Sequence, residues 1–128
     1  MYIRFVVARK DEESGRRLGV FHAMADLQES LDITSEERNQ LDAVGKWFRD
    51  QLPSPARLSV SAKPNRKPQA ISWFKTSATE HIERIRSVEH ILRAHGIFVE
   101  TLTTMRPGKI VYEDEHQVAA HPFSDTPI

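Results

Sequence analysis

Residues 70–96, AISWFKTSATEHIERIRSVEHILRAHG, carry the strongest periodic signal in the chain, and the rest is read outward from them. Phe74, Ala78, Ile82, Ile85, Val88 and Leu92 recur at steps of three or four, which places them on one stripe of an α-helix. Ser77 followed by Glu80 matches a capping box, in which two side chains satisfy backbone N–H groups left free in the first helical turn. Gly96 can take the left-handed backbone with which a chain leaves a helix. The spacing predicts one long amphipathic helix from Ala70 to Gly96, with Ile85 in the core.

Upstream, Thr34 and Glu37 repeat the capping-box spacing. Leu41, Val44, Phe48 and Leu52, with Trp47 beside them, extend a second apolar stripe that Pro53 ends. Val20, Met24, Leu27 and Leu31 predict an earlier helix over about Leu18 to Ser30, after a polar turn at Lys10 to Arg17. Tyr2 to Arg9 is rich in β-branched and aromatic residues and apolar on both faces apart from Arg4, which fits an inner strand.

Downstream, Ile97 to Met105 and Ile110 to Tyr112 read as two strands joined across Arg106-Pro107-Gly108-Lys109. Pro second and Gly third are the marks of a type II turn with positive φ at Gly108. Gln117 to Ala120 either continues the second strand past an acidic bulge at Glu113 to Glu115 or forms a short helix, and 124–128 read as a frayed tail. The expected fold is α+β: a small, mostly antiparallel sheet, made of the N-terminal strand and a C-terminal hairpin, covered by about three helices.

The chain has 128 residues, 39% of them hydrophobic, which is the size and composition of one domain spanning 1–128. No run is long and apolar enough for a membrane span, and Arg4 interrupts the short apolar start where a signal peptide would need none. A soluble, cytoplasmic protein without a membrane partner is the expectation. The chain has no cysteine, which excludes a disulfide scaffold, a thiolate nucleophile and sulfur-ligated metal sites. No phosphate-binding glycine loop, nucleophile elbow or dinucleotide fingerprint is present, so no cofactor is expected.

Net charge is zero, but the charges are sorted. From Gln51 to Thr79 there is no acid, while Arg57, Lys63, Arg66, Lys67 and Lys75 supply five cations. Most of them lie in an irregular loop, 53–69, that holds four of the seven prolines and has only Arg57 to Val60 as a possible short strand. With Arg4 and Arg9 from the first strand, and Trp73 at the loop's end, these cations form a candidate surface for an acidic protein or a nucleic acid. Cations neutralise carboxylates or phosphates, and an exposed ring could stack on a base. The competing reading makes the loop a solvated connection and the aromatics part of the core.

Two other groupings invite chemistry. His81 and His95 stand roughly 21 Å apart along the central helix, too far to share a metal, and each reads as a packed residue at the stripe's edge. Glu113, Asp114 and Glu115, with His116 and His121, are the densest set of acid–base groups. A small hydrolytic enzyme such as a nuclease, using these residues, is the rival to a non-enzymatic binding or regulatory module. Neighbouring strand residues point to opposite faces, so the three acids cannot all converge, and an acidic corner that discourages strand aggregation explains them as well.

Overall fold

The computed structural model describes residues 1–12, 15–51 and 70–128. Its elements are β1 (Tyr2–Lys10), β2 (Arg17–Gly19), α1 (Val20–Gln28), α2 (Ser35–Gln51), β3 (Ile71–Lys75), α3 (Thr79–Ala94), β4 (Val99–Thr104), β5 (Lys109–Glu113) and β6 (Gln117–His121). The strands form one antiparallel sheet in the order β2-β1-β3-β6-β5, with β4 also paired to β1. The fold is the expected α+β arrangement. The loop 53–69, with its possible strand at Arg57 to Val60, lies outside the described residues.

The central stretch departs from its reading. Ile71–Lys75 is a strand, and the helix begins only at Thr79. The helical spacing of Phe74 and Ala78 is a coincidence: Ile71 and Trp73 are buried, Ser72 between them is exposed, and the β-rich run ISWF has strands on both sides to bond with. From Thr79 onward the stripe holds, with Ile85, Val88 and Leu92 buried and Gly96 at φ +78° closing the helix.

By density of contact the described chain falls into two compact units. The first contains the start of β1, β3, the end of β4, β5 and β6. Here Tyr2 pairs with Lys75 and Ile3 with Phe74, while β3 runs against β6 from Ile71↔Ala120 to Phe74↔Gln117. The expected hairpin between 97–105 and 110–112 does not form: β4 pairs with β1, and the partner of β5 is β6, which is neither an extension of β5 nor a helix. Gln117 to Ala120 are all buried, so they lack the alternation that would have marked a strand.

Gly108 does have positive φ, +130°. The reason is a close approach to β6, because a Cβ built there would stand 1.9 Å from the His121 carbonyl oxygen. The chain's end is held by Thr126, which is buried: its hydroxyl accepts from the Phe123 N–H (3.0 Å) and donates to the Arg106 carbonyl (3.2 Å).

The second unit contains the rest of β1, β2, the three helices and the start of β4. The helix predicted over 18–30 is shorter, because Leu18 belongs to a three-residue strand against β1. The cap on α2 is the reciprocal one expected: the Glu37 N–H donates to Thr34 Oγ1 (3.1 Å) and the Thr34 N–H to Glu37 Oε1 (2.9 Å). Phe21 of α1 meets Phe48 of α2 edge to face at 4.9 Å, and His81 of α3 packs on Trp47 at 4.8 Å, which ties the helices together. A second tie joins α2 to the end of α3, where His95 Nε2 lies 2.9 Å from Glu37 Oε2. The Thr34 N–H and then His95 hold the Glu37 carboxyl below its ordinary value. His81 and His95 are thus packed residues on separate partners.

Candidate functional site

The basic surface read from the sequence is only partly within the described residues. Arg57, Lys63, Arg66 and Lys67 lie outside them. Of the others, Arg9 pairs with Asp26 at 3.0 Å while keeping most of its side chain in solvent. Arg4, on the inner strand, is half-buried. Trp73, on the inner strand β3, is 1% exposed. A ring so buried leaves no platform for a base.

Lys75 Nζ lies 2.6 Å from Glu113 Oε2 in the first unit. That hydrogen bond, more than the long-range attraction of Glu113, pushes the ammonium pKa up. The structure therefore gives Arg9 and Lys75 carboxylate partners, each from its own unit.

The acidic corner between β5 and β6 is built from the inside. Asp114 accepts from the Tyr112 hydroxyl (2.8 Å), the His116 N–H (2.8 Å), the Gln117 N–H (3.0 Å) and Gln117 Nε2 (3.1 Å). Burial alone would raise this carboxyl. The four donors, led by the His116 N–H, outweigh it and hold the group below the ordinary carboxylate range. The hydrogen bond that the Tyr112 hydroxyl donates to Asp114 raises the pKa of that hydroxyl. An aspartate so engaged is the staple of a turn and a poor base or metal ligand. Glu113 is taken by Lys75, and Glu115 lies 3.8 Å from its neighbour His116.

Among the described residues no three His, Asp or Glu side chains converge as a metal site would require. None of the described helices is long and apolar enough to cross a membrane.

Sequence reasoning passed over a feature of α3. It centres on Glu89, which lies between Arg86 and Arg93 on the helix. Both oxygens of Glu89 are in fact engaged, Oε1 by Arg93 (2.9 Å) and Oε2 by Arg86 (3.6 Å), and the carboxylate side chain is only 11% exposed against 55% and 52% for the two arginines. Each guanidinium also lies 5.5 Å from a ring centroid, Arg86 over Phe5 and Arg93 over Phe98. The signal was present in the spacing, since residues 86 and 93 share a face of a helix with 90 between them.

Comparison of this chain with models of protein families, with curated proteins and with solved structures finds no match.

Proposed function

We propose that the protein is a small non-enzymatic binding module whose basic loop, 53–69, takes an acidic segment of a partner protein. The observation that carries this reading is the acid-free run from Gln51 to Thr79, with five cations in a chain of zero net charge. A local run of cations without an acid sets up a positive field that attracts an opposite charge even where the whole chain is neutral. A partner rich in carboxylates is favoured over a single-stranded nucleic acid because the ring best placed in sequence for stacking, Trp73, is buried. The hydrolytic alternative loses support where it was strongest, since Asp114 and Glu113 are engaged within the fold.

The test is charge reversal in the loop. Lys63→Glu, Arg66→Glu and Lys67→Glu together should leave the melting temperature nearly unchanged and abolish binding of fluorescein-labelled polyglutamate. Binding by the native protein should weaken steeply between low and physiological salt. Equal binding by the native and triply reversed proteins would overturn the proposal.

A further inference from the structure

We infer a second contact surface, separate from the loop: the ridge Arg86–His90–Arg93 on α3, ending at Phe98, which fits an acidic protein segment that carries an apolar side chain. The charge balance on this face supports it. Two guanidiniums share one carboxylate, and that carboxylate is the least exposed member of the trio, so the outward side is cationic. His90, exposed between them, adds a donor on the same face, and Glu83, one turn before Arg86, is a second, exposed acid beside it. Arg86 and Arg93 stand two turns apart, about 10 Å along the axis, a separation that carboxylates on a short peptide can match.

Preorganisation is the second argument. A free arginine side chain loses rotamer freedom when it binds, which works against affinity. Arg86 and Arg93 are already held, each by Glu89 on one side and an aromatic ring on the other. The third argument is Phe98, which is 66% exposed although its neighbour Val99 is buried. A large ring left in solvent next to an immobilised guanidinium has the composition of an interface hot spot, where aromatics and arginine are enriched. The ring supplies apolar area, and the arginines select an acidic partner.

The choice between partner classes rests on shape and chemistry. One exposed ring at the end of the ridge suits a single apolar anchor flanked by carboxylates better than a run of stacked bases, which needs successive platforms. The probe is a fluorescein-labelled peptide of repeated Glu-Leu-Glu units, titrated by anisotropy into the full chain. Arg86→Gln with His90→Glu leaves the Arg93–Glu89 pair in place and should weaken binding at least about tenfold.

Phe98→Ser should weaken this peptide and leave polyglutamate unaffected. Arg84→Gln, on another face of the helix, should change neither. The protein reversed at Lys63, Arg66 and Lys67 should still bind the Glu-Leu peptide, which separates this surface from the loop. Unchanged affinity in both ridge variants, or loss of the peptide only on loop reversal, would overturn the inference. So would a single-stranded oligonucleotide that displaces the peptide from the ridge at equal charge.

Discussion

The corner between β5 and β6 and the outer face of α3 are both dense in charge, yet they end in opposite states. At the corner two of the three acids meet donors from the same unit: Asp114 collects four and Glu113 takes Lys75. On α3 two cations divide a single carboxylate and remain half-exposed. A charged cluster points to a partner when its capacity for opposite charge exceeds what the fold supplies, and its density in sequence says nothing about that. The corner is closed and the ridge is open. Mutations should therefore cost stability at the first and binding at the second.

The largest loss is expected where β5 is held to β6. Gly108→Val puts a side chain where the His121 carbonyl oxygen already sits and asks a branched residue to take φ +130°. Backbone has to move, and urea denaturation should show a loss of about 4 kcal/mol or more. A loss below about 1 kcal/mol would mean that the connection from β4 relaxes freely, and the closed character of the corner would go with it.

Ile85→Ala comes next, on the buried face of α3. The residue is 0% exposed, so the substitution leaves a cavity in the second unit and should cost about 3 kcal/mol, within the usual range for deleting a buried aliphatic side chain. The same helix would then show both behaviours one residue apart: stability lost at Ile85 and conserved at Arg86.

Asp114→Ala should cost about 2 kcal/mol, because it strips an acceptor from two backbone and two side-chain donors that are only part-buried. The pH dependence has a definite sign. A carboxyl whose folded pKa is depressed contributes stability in full above its unfolded value, about 3.9, and loses it as pH falls through the lower folded value. Asp114→Asn should therefore flatten the acid limb of the stability curve below about pH 4. An unchanged acid limb would show that Asp114 titrates alike in both states and that its donors do little.

What the sequence disclosed follows the range of the interactions. The Thr34–Glu37 cap and the glycine ending α3 were legible because each involves residues within one turn. Strand β3 was not, because its ladder partners, β1 and β6, are distant in sequence, while Phe74 happens to continue the period of the helix behind it. β6 hid for a related reason: a strand buried on both faces loses the alternation that identifies one. At the candidate sites the residue types were visible and the pairings were not. Lys75 read as a contact cation and is bonded to Glu113, and the exposure of Phe98 had no mark in the sequence, since only tertiary placement decides either.

The smallest stability effect belongs to Arg86→Gln, and it sharpens the comparison most. The guanidinium is half-exposed and its contact with Glu89 is the longer of the two, at 3.6 Å, so Glu89 keeps its better partner, Arg93, when Arg86 is neutralised. Exposed ion pairs contribute about 0 to 1 kcal/mol, and the stack on Phe5 adds little more at a solvent-facing site. Urea denaturation should place the variant within about 1 kcal/mol of the native protein. A larger loss would mean that the Arg86–Glu89–Arg93 trio is spent on the fold as Asp114 is, and the ridge would then belong with the closed clusters.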